Sequence, residues 1–419
     1  MLSLKPFAVS TRRPPSPLET RDCVRFLILT QYYPPEIGAA QTRLGAIARA
    51  LIQRGHTLEV VTAMPNHSFG RTLEGYRGRL YMRERIDGAL VHRTWVYAAG
   101  GTGLRRMFNY LSFALTCFIG LARARRPDAI FVESPPLFLS VPGWIASKLR
   151  RCKLIFNVAD LWPDAVRELG VIRTGPLMAA AQLLERWTYR NSTMINVVTD
   201  GIERDLRLRK GVPASKLRFL PNGVDVETFA PRDRSAPLAL RLGLGNRPMF
   251  LYVGTHGIAH ALHHLIAAAK LVPEAFVLLV GAGTTKASLM MLARGVENVH
   301  FAAPVPPDQM SEYFSLACAS VVPLIRSNHN GGARPSKLFA SLACGVPVIY
   351  SGEGEGAAIV EEAQAGIVVA PENPAAIAGA MRTLIALPNL REQMAQRARA
   401  VAIERFAWPG IVDRWLASL

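Results

Sequence analysis

The run Arg25 to Thr30, RFLILT, is apolar through its centre, as a strand buried on both faces requires. A loop bearing proline and glycine, Tyr32 to Gly38, separates it from an amphipathic stretch that continues to Arg54. The same unit returns with LEVVT (Leu58 to Thr62), DAIFV (Asp128 to Val132), KLIFNV (Lys153 to Val158) and MINVV (Met194 to Val198), with segments of helical length between them. A second series follows the turn Pro221-Asn222-Gly223. Its strands are MFLYV (Met249 to Val253), FVLLV (Phe276 to Val280), NVHF (Asn298 to Phe301), ASVVPL (Ala319 to Leu324) and PVIY (Pro347 to Tyr350). Such alternation predicts an α/β protein with two doubly wound, Rossmann-like parallel sheets, each covered by helices, whose strand C-termini face a shared cleft. The proline- and charge-bearing stretch Pro231 to Pro237 sets the expected boundary. It divides the chain into a disordered tail (1–22), a first domain (23–230) and a second domain (231–405).

Length and composition agree with two cores: 419 residues, half of them hydrophobic and 19% charged. The formal charge of +18 favours polyanions, anionic lipid surfaces or phosphorylated ligands. Nucleic acid is the poorest of these partners, since the chain has no zinc-finger spacing, no aromatic RNP-like strand and no heptad behind a basic helix. Five scattered cysteines form no CxxC pair and point to a reducing, cytoplasmic compartment, and the first residues lack the apolar core of a secretory leader. One segment, Met107 to Ala122 (MFNYLSFALTCFIGLA), is uncharged and lies between Arg105 and Arg106 on one side and Arg123, Arg125 and Arg126 on the other. At ~1.5 Å per residue it is too short to span a bilayer, which takes ~20 residues. It reads either as a core helix with solvated ends or as a helix lying in the lipid interface with its arginines on anionic headgroups. The basic cluster Lys148, Arg150, Arg151 and Lys153 favours a protein peripheral to the inner face of the cytoplasmic membrane.

Candidate chemistry clusters at strand ends. The loop Pro34 to Gly38 opens a helix, where backbone N–H groups and the helix dipole can hold a phosphate and Gly38 allows close approach. Asp160, Trp162 and Asp164, directly after KLIFNV, suit sugar recognition: carboxylates accept hydroxyl hydrogen bonds and an indole covers a pyranose face. The same residues also read as a helix start with Pro163 in the first turn and Trp162 in the core. Asn66 and His67 line the same cleft in the acceptor-binding reading. In the second half, Gly254, Thr255 and His256 follow MFLYV in a second phosphate-holding geometry. Gly281-Ala282-Gly283 follows FVLLV, but Lys286 stands where a dinucleotide fingerprint needs its third glycine, so an NAD enzyme is not indicated. No Walker A pattern appears. Arg334 and Lys337, opening a helix, can neutralise the diphosphate that leaves when a nucleotide sugar breaks its glycosidic bond. Glu353 and Glu355, in the glycine-rich loop that follows PVIY, can accept hydrogen bonds from ribose or sugar hydroxyls.

In the order LTQYYPPEIGAAQTRL, PNHSFGRTLEGYRGRL, ADLWPDAVRELG, LPNGVDVETFAP, YVGTHGIAHAL, RPSKLFASLACGVPVIY and GEGEGAAIVEEAQAG, the chain from Arg25 onward resembles the retaining glycosyltransferases of family 4, of the bacterial O-antigen and colanic-acid type. The resemblance implies a GT-B fold and a nucleoside-diphosphate sugar donor, commonly UDP-linked, bound mainly by the second domain. It implies a lipid-linked saccharide acceptor bound by the first domain, and no metal ion or other cofactor. It also implies that 406–419 crosses back to the first domain. Two glutamates eight positions apart, usual in that family, are Gly332 and Ala340 here; Glu353 or Glu355 is the available compensation. Asp160 is the candidate for orienting the acceptor hydroxyl. Two other classes share the cleft: a nucleotide-sugar-binding protein without turnover, and a GT-B epimerase.

Overall fold

A computed structural model describes residues 23–36, 38–66, 70–99, 103–164, 175–326, 332 and 334–419. The tail 1–22 and His67 lie outside them. The first half contains β1 (Arg25–Leu29), α1 (Ala39–Gln53), β2 (Thr57–Ala63), β3 (Tyr81–Ile86), β4 (Ala89–Thr94), α2 (Leu104–Arg123) and β5 (Ala129–Ser134). It continues with α3 (Ser140–Arg150), β6 (Lys153–Val158), α4 (Pro176–Asn191), β7 (Met194–Val197), α5 (Asp200–Leu208) and β8 (Leu217–Phe219). The second half runs through α6 (Ala236–Arg241), β9 (Met249–Val253), α7 (Leu262–Lys270), β10 (Phe276–Val280), α8 (Lys286–Leu292), β11 (Val299–Ala302), α9 (Pro307–Phe314) and β12 (Ala317–Pro323). It ends with α10 (Ser336–Ala343), β13 (Val348–Ser351), α11 (Glu355–Glu362), β14 (Gly366–Val369), α12 (Pro374–Ala386), α13 (Pro388–Val401) and α14 (Trp408–Leu416).

The first sheet has the order β3-β4-β2-β1-β5-β6-β7-β8 and the second β11-β10-β9-β12-β13-β14. Every pairing is parallel except β3 with β4. Three packed layers, helix on sheet on helix, follow in each domain because both faces of a parallel sheet must be covered. On the first sheet, Leu27, Leu29 and Val132 point into one core with Phe113 and Cys117 of α2. Their alternates Phe26, Ile28 and Phe131 meet Leu44 and Ile47 of α1 on the other face. The order reverses between β1 and β5 in the first sheet and between β9 and β12 in the second, which is where a doubly wound fold leaves a crevice for ligands.

The hairpin β3–β4 has no counterpart among the apolar runs. Tyr81 to Ile86 reads YMRERI, an edge strand with charged residues on one face, and Ile86 pairs with Ala89 across the two-residue turn Asp87-Gly88. Both turn residues have positive φ (48° and 85°), the geometry an Asp-Gly hairpin turn takes.

The chain leaves the first sheet at Asn222 to Val224, ahead of the expected 230/231 boundary, because Val224, Val226 and Phe229 already pack in the second domain against Val322, Leu338 and Phe339. At this crossing Val224 pairs in parallel with Ala407, where the chain returns. The helix α14 then buries Trp408, Ile411, Val412 and Trp415 in the first domain's core.

The uncharged segment Met107 to Ala122 lies within α2, which is buried on one face and exposed on the other. Asn109, Phe113, Cys117, Gly120 and Leu121 are buried, while Leu104, Phe108, Leu111, Leu115 and Phe118 form an exposed stripe on the outer face. Among the described residues no helix is long and apolar enough to cross a membrane.

Candidate active site

Lys337 lies in the first turn of α10, directly beside the switch point between β9 and β12. Gly254, at the end of β9, has φ of 133°, and a Cβ there would approach the Lys337 Cε to 3.1 Å. The Lys337 ammonium donates to His260 Nδ1 at 3.2 Å and sits 5.0 Å from the centre of the Tyr252 ring. No carboxylate pairs with it among the described residues. Burial therefore lowers Lys337 to about 7, and burial, with Lys337 and His256 adding to it, lowers His260 to about 4. His260 escaped sequence reasoning: the three histidines of AHALHH carry no spacing signal.

His256 is fully buried, and neither ring nitrogen has a hydrogen-bond partner among the described residues. Burial lowers it to about 4, with Lys286 and Lys337 adding to the effect and the Val280 backbone opposing it. Its main chain joins two loops: His256 N–H donates to Ala282 O at 2.9 Å, and Thr285 Oγ1 donates to His256 O at 2.8 Å. A Cβ on Gly283 would fall 2.3 Å from His256 O, so the Gly254 and Gly283 loops are in backbone contact. Thr255 and Gly283 remain exposed at the rim.

Arg334 and Glu355 stand differently from their expected roles. Arg334 precedes α10, which begins at Ser336, and Glu355 is the first residue of α11 rather than part of a loop. Arg334 Nε donates to Glu355 Oε2 at 2.5 Å, its Nη2 donates to Asp200 Oδ2 at 2.8 Å, and its guanidinium covers the Phe219 ring at 5.2 Å. The Glu355 carboxylate also accepts the N–H of Gly201 at 2.6 Å and of Asp200 at 3.2 Å. One positive side chain is thus bracketed by two negative ones. Arg334 brings no uncompensated charge to a diphosphate, and Lys337 does. Glu353 is exposed two residues before Glu355.

On the first domain's side, Glu133 is the penultimate residue of β5 and is 1% exposed; it accepts hydrogen bonds from Arg43 and, at 3.0 Å, from Asn157. Burial raises its carboxyl to about 7, outweighing Arg43 and Asn157, with Asp160 contributing in the same sense as burial. Arg43 also reaches Asn222 Oδ1 at 3.3 Å. Asp160 is exposed at the strand end, yet the protein around it excludes enough water to raise its carboxyl, with Arg43 opposing. A glutamate closing the apolar run IFVES was the available signal for Glu133. Gly38 caps α1 with φ of 172°, extended backbone that any residue adopts.

Three expected acceptor contacts are engaged elsewhere. Asp164 is 6% exposed and pairs with Lys210 at 2.8 Å, which also reaches Glu185 at 2.8 Å, since a buried carboxylate needs a cation. Asn66 is wholly buried: its amide donates to Met64 O and accepts from Asn109, which in turn accepts from Gln31. Trp162 packs edge-on against Phe138, centroids 5.6 Å apart, in the wall of a cavity of about 170 Å³ that Met107, Met178 and Leu184 also line. Among the described residues no group of three or more His, Cys, Asp or Glu could hold a metal ion.

The sequence matches the Glycosyl transferase 4-like domain over residues 38–223 and the Glycosyl transferases group 1 domain over residues 241–401. The chain is a glycosyl transferase made of these two domains in this order. Among its relatives is WcaI of Escherichia coli K12, named for colanic acid biosynthesis, which is 27% identical over 386 residues, 87% of this chain and 93% of WcaI. The fold of this glycosyl transferase is GT-B. Sucrose-phosphate synthase from Thermosynechococcus elongatus superposes with a TM-score of 0.72 at 18% identity, covering 93% of this chain and 97% of the other. HepE of Anabaena in complex with UDP-glucose gives 0.67 at 18%, covering 94% and 100%.

Proposed function

We propose that this glycosyl transferase moves a sugar, with retention, from a UDP-linked donor to a lipid-linked saccharide acceptor in cell-surface polysaccharide biosynthesis. The observation that carries the reading is Lys337 at the switch point of the second sheet: a buried cation with no carboxylate partner among the described residues, facing the Gly254 and Gly283 loops. An arriving diphosphate supplies the missing anion, and the negative charge that grows on it as the glycosidic bond breaks is met by Lys337 and loop N–H groups in the role a metal ion plays elsewhere. Thr255 and Gly283 lie at the rim for the donor. Asp160, beside Arg43 and Glu133, faces the cleft from the first domain and orients the acceptor hydroxyl. HepE, which was solved with UDP-glucose, and WcaI, named for colanic acid biosynthesis, support the choice of donor and pathway class. Release of UDP or GDP from a panel of nucleotide sugars, with and without a polyprenyl-diphosphate sugar, tests it. An altered nucleotide sugar formed without acceptor and without net nucleotide release would instead identify an epimerase.

The outer stripe of α2 supports the membrane part of the reading. Leu104, Phe108, Leu111, Leu115 and Phe118 recur at spacings of four and three, so they share one helix face, and Arg105, Arg106 and Arg123 sit at its ends. Burying a side chain of this size is worth ~1.5–3 kcal/mol. The double variant Phe108→Asp/Leu115→Asp is therefore expected to lower partitioning onto anionic vesicles by on the order of 100-fold, read by vesicle flotation at low salt. Turnover of a water-soluble acceptor is expected to persist; wild-type protein that fails to float with the vesicles would end this part of the reading.

A further inference from the structure

We propose that Asp200 and the first turn of α5 belong to the donor site as positioning elements, holding Arg334 and Glu355 in place across the cleft so that the site is complete only while the two domains are latched. The proposal rests on the sugar-transfer reading for its kinetic readout, and on geometry alone for the latch itself.

The latch consists of four hydrogen bonds that converge on one carboxylate and one guanidinium. Glu355 caps the N-terminus of α5 by accepting from the amides of Gly201 and Asp200, where the helix dipole favours a negative charge. Arg334 closes the ring, donating to Glu355 on its own domain and to Asp200 on the other. One face of the guanidinium lies on Phe219 of β8, Nε and Nη2 are both bonded, and the side chain is only 10% exposed. A planar cation fixed in this way ties the start of α10, where Lys337 stands, to the first domain.

An independent observation comes from two glycines. A Cβ on Gly201 would stand 2.9 Å from Gly332 Cα, and a Cβ on Gly332 would stand 3.2 Å from both Gly201 Cα and Glu355 Oε1. Backbone meets backbone across the cleft at this point, so neither position has space for a side chain while the domains are latched. The absence of a side chain at 332 is thereby explained: Glu355, entering from α11, brings its carboxylate to the space a residue at 332 would occupy.

Gly201→Ala gives the sharper test, because alanine favours the α5 helix while its methyl group wedges the domains apart. It is expected to raise the donor KM at least tenfold without lowering the thermal midpoint, and to enlarge the radius of gyration in small-angle scattering. Asp200→Asn, at a site whose side chain is 60% exposed, is expected to raise the donor KM roughly two- to fivefold. High salt should raise the wild-type KM toward that value and leave the variant unchanged. In an Arg334→Ala background Asp200→Asn should have no further effect, because Asp200 acts through Arg334; undiminished effects there overturn the proposal. Wild-type donor KM in both single variants also overturns it. Should the wild-type protein turn over no nucleotide sugar, the functional reading fails on its own, and scattering then decides the latch: Gly201→Ala without expansion rejects it.

Discussion

Replacing Lys337 by Met is expected to lower kcat/KM for the nucleotide sugar by about 10²–10³, the cost of removing one preorganised group that stabilises leaving-group charge. Methionine keeps the length and apolar contacts of the stem against Tyr252, so the loss reports charge rather than packing. The wild-type enzyme should also show a characteristic pH dependence. Burial lowers Lys337 to about 7 in the free protein, so the amine is charged below that pH and neutral above it. A bound diphosphate favours the ammonium form and raises its pKa, so above pH 7 binding must take up a proton. Donor affinity is therefore expected to be constant below about pH 6.5 and to fall by up to tenfold per pH unit above about 7.5. His260 and His256, both held near 4, face the same loops and stay neutral across this window, and Lys286 is bonded to the Gly281 and Ala302 carbonyls. Calorimetric titration of the nucleotide sugar, whose diphosphate does not titrate in this range, between pH 6 and 9 reads the effect, and Lys337→Met should remove the slope. A slope retained in the variant would assign the titration to another group.

Trp415→Ala should produce the largest loss of stability, about 3–5 kcal/mol, because it empties a site with no access to solvent. The indole lies between Phe26 and Phe131, with ring centroids at 5.9 and 6.0 Å, and its Nε1 donates to Asn196 Oδ1 at 2.9 Å. Truncation opens a cavity under β1 and β5 and removes the hydrogen bond to a buried amide, which adds ~1–3 kcal/mol where no water replaces the donor. Trp415→Phe separates the two contributions, since it restores most of the apolar area and leaves Asn196 unmatched. Denaturant unfolding followed by far-UV circular dichroism should show the first domain's transition moving to lower denaturant while the second domain's stays in place. The variant also probes the chain's return, since α14 is the sole element after residue 407 and is held additionally by the Arg54–Asp413 ion pair.

Residue pattern carries far in a doubly wound protein. KLIFNV, MFLYV and FVLLV coincide with β6, β9 and β10, because strands buried on both faces must be apolar at every position and so announce themselves without periodicity. The edge strand β3 breaks that rule: one face is solvated and exposes Arg83 and Arg85, and the Asp87-Gly88 turn was the remaining local cue. Gly254 and Lys337 stood out in the sequence because one follows an apolar strand and the other opens a helix, the positions at which this topology can gather ligands.

The sequence by itself determined the α/β class, the two sheets and the strand ends at which chemistry gathers, since each depends on contacts among near neighbours and on the period of hydrophobic burial. Tertiary structure alone decided the partner of each charged group. Asp164 stands four residues from Asp160, yet it turns to Lys210 and burial, whereas Asp160 remains at the cleft. Glu355 looked like a free carboxylate in a glycine-rich loop, and instead caps a helix 155 residues away. Charge and hydrogen-bond pairing depend on distance in space and on exclusion of water, and neither quantity is written in the order of residues.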